Sequence, residues 1–153
     1  MYDRQLKSDP AFKAFITPPV DYDPQKYELV GRYVEYLKEQ KPADLEKQLA
    51  MIFPGWMNAG EYNYQRASLV TMAPVGLSHL YINGDYSVKS KIWKEHQDYL
   101  KGLYHFMCTD PRVPKTYQGK IKDLGLDLRP HPDTNGWPHQ LYVRVSRRLM
   151  GPY

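Results

Sequence analysis

Apolar positions along the chain fall into stretches of helical period, separated by breaks rich in Pro, Gly and Asx residues. After Asp23-Pro24, residues Tyr27, Val30, Tyr33, Val34 and Leu37 recur at spacings of three and four, which places them on one helical face. Asp23 is the natural N-cap of that helix, with Pro24 at its first position, and Pro42 ends it. Leu45, Leu49 and Ile52 predict a shorter helix, closed by Pro54-Gly55. The longest periodic segment carries Val88, Ile92, His96, Tyr99, Leu103 and Phe106 or Met107. It predicts a helix from about 86 to 108 as the main core contact, with His96 buried in its stripe. Asp110-Pro111 stops it, because the residue before a proline is pushed out of the α region. Beyond Pro114, residues Val113, Tyr117, Ile121 and Leu124 share the face of one more helix.

The breaks have their own texture. Residues 1–22 read as an extended arm, with Pro18-Pro19 enforcing extended geometry. Residues 54–66 read as a loop in which Trp56, Tyr62 and Tyr64 offer rings for stacking on a flat ligand or for packing on a partner. Leu69 to Met72 and Leu77 to Ile82 are short strand candidates, and Asn83-Gly84-Asp85 is a turn. Residues 126–139 form a second irregular stretch. After it, Leu141, Val143 and Val145 alternate with Tyr142, Arg144 and Ser146, as in a strand. The expectation is an α+β fold, helix-dominated, with a small antiparallel sheet and long irregular loops. A length of 153 residues suits a single domain, here residues 23–153 behind the arm.

Charge and cysteine content narrow the function classes. Lys plus Arg exceed Asp plus Glu by only four, and Arg144, Arg147 and Arg148 form the one tight basic cluster. Solvated surface charge accounts for such a pattern, so no nucleic-acid partner is expected. No apolar run is long enough to span a bilayer, so no membrane span is expected. The N-terminus shows no apolar core of a secretory signal, and a single cysteine, Cys108, rules out an intramolecular disulfide. A reducing, cytoplasmic setting follows as the expectation. Cys108 reads as a small buried hydrophobe near a helix end, with His105 three residues earlier as the alternative activating base.

No glycine-rich phosphate loop and no metal-spaced Cys/His cluster is present, so no metal is expected and no catalytic residue is assigned. The stretch from Gly136 to Arg148 is the better candidate for binding. Pro138 fixes the entry to the strand, so His139 is held, and Trp137 lies beside it. A strand pleat turns Tyr142 and Arg144 away from the face of Leu141 and Val143, and a regular continuation brings Arg148 to the same side. One histidine, one tyrosine and two arginines would suit an anionic group, such as a sugar acid's carboxylate or a cofactor phosphate. Ion pairing of these arginines with acids of the helices is the open alternative.

Several blocks in order carry a resemblance. They are Ile92-Trp93-x-x-His96-x-x-Tyr99-x-x-Gly102-Leu103-x-x-Phe106, then Thr109-Asp110-Pro111-Arg112-Val113-Pro114, then Gly136-Trp137-Pro138-His139-Gln140-Leu141-Tyr142-Val143-Arg144-x-x-Arg147-Arg148-x-x-Gly151. Together they resemble the FAD-dependent oxidoreductase family sometimes labelled xanthan-lyase-like, over about residues 62–151. A less specific similarity runs from Val20 to Tyr36. Where that family has a glutamate after the first arginine of its last block, this chain has Val145, so no acid role is implied there. The family's glycine-rich βαβ unit and its later return to FAD have no counterpart here. The resemblance therefore implies the middle, substrate-side or cap region of such an enzyme, without the FAD-binding halves. It implies a fragment or one chain of a split flavoprotein, with FAD held by a partner chain and no catalysis by this chain alone. A non-catalytic binding or assembly subunit derived from the family is the alternative.

Overall fold

The computed structural model describes residues 10–52, 70, 74, 76–141 and 143. The architecture is α+β and helix-dominated, with a two-stranded antiparallel sheet. Helix α1 spans Glu28–Gln40, α2 Leu45–Ile52, α3 Tyr86–Thr109 and α4 Lys115–Lys122; strand β1 is Lys13–Ala14 and β2 Leu126–Asp127.

Local chemistry starts and stops the two longest helices. The Asp23 side chain accepts from the Gln25 amide at 2.9 Å and opens a 3-10 turn, Pro24–Tyr27, that runs into α1. Val30, Gly31, Val34 and Leu37 form the buried stripe of α1, which ends at Gln40, just short of Pro42. The Asp85 carboxylate accepts from the Val88 amide at 2.9 Å and caps α3. At the far end Asp110 is extended (ψ 130°), as a residue before proline should be. Gln118 of α4 then donates to the carbonyl oxygens of Asp110 and Val113 at 2.8 and 3.2 Å, so two carbonyls of the turn between α3 and α4 are met by a buried side chain.

The core lies where α3 and α4 close on α1 and α2. Leu103, Phe106 and Met107 of α3 are fully enclosed, with Val34 and Leu37 of α1, Leu49 and Ile52 of α2, and Val113 and Ile121 beside α4. Each such side chain contributes about 1.5–3 kcal/mol by leaving water. Two glycines set the distance between α1 and its neighbours. A Cβ on Gly102 would overlap the Tyr27 hydroxyl, and one on Gly31 would overlap the Arg112 guanidinium. Tyr27 thus lies against α3 and donates to the Tyr99 carbonyl at 2.9 Å.

Arg112 joins the pieces electrostatically. Its Nε and Nη2 meet the two oxygens of Asp110 at 2.9 and 3.0 Å, and its Nη1 reaches Glu28 of α1 at 2.9 Å. Its guanidinium stands 5.4 Å from the centre of the Phe106 ring. Across the molecule, β1 pairs with β2 in the register Lys13↔Asp127 and Ala14↔Leu126. The Leu128 amide extends this contact to the Phe12 carbonyl at 2.9 Å, so the described part of the N-terminal arm is tied down.

Four expectations change. Leu77–Leu80 is a 3-10 turn, not a strand: Gly76 enters it in the left-handed region at φ 87°, and Leu80 is 69% exposed, so no alternating buried face exists. Val70 is a buried bend, and its neighbours 69, 71 and 72 lie outside the described residues. His96 is half-buried, because its Nδ1 turns back to the Ile92 carbonyl of its own helix at 2.8 Å. Of the strand expected over residues 141–145, Leu141 and Val143 are described, and neither belongs to a strand. The loop over 54–66 lies outside the described residues.

Two outcomes follow. Leu103→Ala should cost about 2–5 kcal/mol in a urea titration through the cavity it opens. Leu29→Ala, at a position 66% exposed, should stay within about 0.5 kcal/mol. The second concerns acid. Burial pushes the Asp110 carboxyl up, but the hydrogen bonds and charge of Arg112 outweigh it and hold it below the usual carboxylate range. Arg129 holds Asp127 low in the same way. A depressed carboxylate stabilises the fold above its unfolded value, and that stability is lost as pH falls through the folded one. Unfolding midpoints should therefore drop below about pH 4. Arg112→Met should make that acid limb shallower. At neutral pH it should cost more than the ~1 kcal/mol of a surface pair, since the Asp110 side chain is only 10% exposed.

Candidate functional site

Two stripes run along the first half of α3. Ile92 is buried and Val88 half-buried, and Tyr86, Lys89, Ser90 and Trp93, spaced at i, i+3, i+4 and i+7, line a cleft on another side. The opposite wall is the loop carrying Thr134, His139, Gln140 and Leu141, and Tyr81 closes one end. The cleft encloses about 660 Å³.

The loop wall is shaped by its backbone. A 3-10 turn, Pro132–Thr134, is followed by Asn135 at φ 55° and Gly136 at φ 83°. Asn tolerates the left-handed region and Gly adopts it freely, so the chain reverses within two residues. The Gly136 amide donates to the His131 carbonyl at 2.8 Å, and the Thr134 hydroxyl donates to the Trp137 carbonyl. Gly136 is packed so closely on β2 that a Cβ there would meet the Asp127 carbonyl. The reversal presents the Pro138 carbonyl to the Trp93 indole, which donates to it at 2.7 Å. That bond ties the loop to α3 and orients the indole.

Of the residues singled out from the sequence, His139 lines the cleft. It is 54% exposed, with Nε2 3.4 Å from Asp133 Oδ1 and its ring 5.2 Å from that of His131 in an edge contact. His131 Nδ1 is buried and has no hydrogen-bond partner among the described residues. Trp137 turns elsewhere: it is half-buried, and the Lys101 ammonium stands 5.8 Å from its ring. Tyr142, Arg144 and Arg148 lie outside the described residues. Tyr81, Tyr86, Lys89, Ser90 and Trp93 were missed. The helix-face spacing of Tyr86, Lys89, Ser90 and Trp93 was the signal that pointed to them, hidden behind the stronger apolar stripe of the same helix.

Among the described residues, Lys89, Ser90 and Gln140 make no side-chain hydrogen bond or ion pair, so their polar groups are open to a ligand. A second cleft, of about 420 Å³, lies where Asp21, Asp23, Glu95 and Asp98 gather around Tyr22, Tyr27 and Tyr99. Several of its groups already have structural work. Asp23 caps a turn, Asp98 takes Lys94, and the Tyr27 hydroxyl is bonded to Tyr99.

Comparison with family models, with curated proteins and with solved structures finds nothing that matches this chain. No three metal-ligating side chains gather among the described residues. A flavin dinucleotide of the glycine-rich kind needs a helix N-terminus open to its pyrophosphate, and the starts of α3 and of the turn into α1 do not offer one. The Asp85 carboxylate occupies the start of α3, and Asp23 that of the turn leading into α1. Gly84, next to Asp85, is packed against Val88 and the Leu80 carbonyl and has no room to cradle a phosphate. Cys108 has no activating base in His105, whose ring packs edge-on against Tyr22 at 4.6 Å. Burial pushes the Cys108 thiol up, against weaker opposing pulls from the Tyr104 hydroxyl and Lys122. Iodoacetamide at about pH 8 should accordingly leave Cys108 largely unmodified in the folded chain and label it rapidly in denaturant, as intact mass would record.

Proposed function

We propose that this chain is the substrate-side, cap-like segment of an FAD-dependent oxidoreductase, acting in the cytoplasm against a partner chain that holds the flavin. The observation that carries this reading is the meeting of the blocks that bear the resemblance. Trp93 of the first block is bonded to Pro138 of the third. Arg112 of the second reaches Glu28 in the less specific Val20–Tyr36 segment, where Tyr27 packs on Tyr99 of the first. Residues distant in sequence thus form one scaffold, and its open side is the cleft lined by His139. The chain alone does not perform the redox step in this reading, because its sequence has no glycine-rich dinucleotide-binding motif.

A second reading, a non-catalytic assembly subunit of the same descent, draws on exposed apolar side chains. Leu29 and Tyr36 lie seven residues apart on α1 and are both exposed. One experiment separates the two. The tagged full chain is recovered under native conditions from the cells that make it, and flavin is measured by visible absorbance and after denaturation. The first reading expects a complex with about one FAD per copy of the chain, and a colourless chain once the partner is stripped away. A stable complex without flavin overturns the first reading in favour of the second, and a monodisperse monomer overturns both.

A further inference from the structure

We propose that the cleft between the first turns of α3 and the loop through His139 binds a sugar ring that carries one carboxylate. The walls select for mixed chemistry. Tyr81, Tyr86 and Trp93 supply flat apolar surface with polar edges, which suits the C–H face of a pyranose. Gln140 and His139 face them with hydrogen-bonding groups that a purely apolar ligand would leave unmet on binding. Lys89 is the one cation lining this cleft among the described residues, and it has no carboxylate partner among them. A single ammonium fits one carboxylate through a charge-assisted hydrogen bond. A polyphosphate is disfavoured, because the Asp85 carboxylate caps the helix end one residue before Tyr86. The Trp93 indole is preset by its bond to Pro138, so little ordering is needed when a ring stacks on it.

In naming a substrate class this proposal rests on the flavoprotein reading, but binding is measured without flavin. The full chain is titrated calorimetrically with oligosaccharides of galacturonic acid, and with glucose oligosaccharides of equal length as the neutral control. Saturable binding of the acidic ligand is expected, about tenfold tighter than the neutral one. Lys89→Gln should abolish that difference, and Tyr86→Ala should weaken both ligands. Tyr86 is 92% exposed, so its variant should keep the parent's melting temperature. Absence of saturable binding, or binding that survives both substitutions, overturns the proposal. A colourless native complex would remove the flavoprotein reading and leave this titration standing. A yellow complex whose chain ignores galacturonate removes this proposal alone.

Discussion

The Arg112 side chain is the constraint on which the arrangement of helices depends. It sits where α3 has been stopped by Asp110-Pro111 and α4 has not yet begun, a point at which the chain must change direction over the core. Its planar fork matches the two oxygens of Asp110, and its remaining nitrogen takes Glu28 on α1. One side chain therefore sets both the exit angle of α3 and the distance to α1. Gly31 is a glycine because the guanidinium lies where a Cβ would be. A lysine offers a point charge rather than a fork and could not hold both partners in one plane.

From that anchor the two sides of α3 divide the labour. The buried residues Leu103, Tyr104, Phe106, Met107 and Cys108 close the core against α1, α2 and α4 and fix the helix in position and rotation. That rotation decides what the remaining positions face. Tyr86, Lys89, Ser90 and Trp93 become the wall of a cleft only because Leu103 and Phe106 are locked inward further along the same rod. A helix held by a buried stripe is a rigid base for a binding surface, more so than a loop.

The opposite wall is a loop, and it gains definition from three short-range devices. The left-handed pair Asn135-Gly136 reverses it, the packing of Gly136 on β2 seats it, and the Trp93–Pro138 hydrogen bond ties it to α3. The β1–β2 ladder matters here in turn. By pinning β2 it pins the surface on which Gly136 rests, so the N-terminal arm supports a cleft wall whose residues lie more than a hundred positions away.

Much of the helical frame was legible in the sequence, because helix periodicity, N-capping Asp and stopping Pro are local properties. Asp23-Pro24, Pro42 and Asp110-Pro111 mark ends that the structure has; the stripe of α4 is buried, that of α1 is buried except for half-buried Tyr33, and that of α3 is buried at Ile92, Leu103, Phe106 and Met107 but only half-buried at Val88, His96 and Tyr99. What failed was also local in appearance. Leu77 to Ile82 has the composition of a strand, but a strand needs a partner, and Gly76 turns the chain into a 3-10 helix instead. His96 sits in an apolar stripe, yet its ring bonds back to its own helix, since a side chain's choice between core and backbone depends on what packs over it. The cleft could not be read beforehand: Trp93 and Pro138, or Lys89 and Gln140, become neighbours only when the loop folds back across α3. The order of residues determined which segments are helices and which face of each is apolar. Tertiary packing alone decided which second face of α3 stayed open, because that depends on how the buried face is rotated and on where a distant loop is fastened.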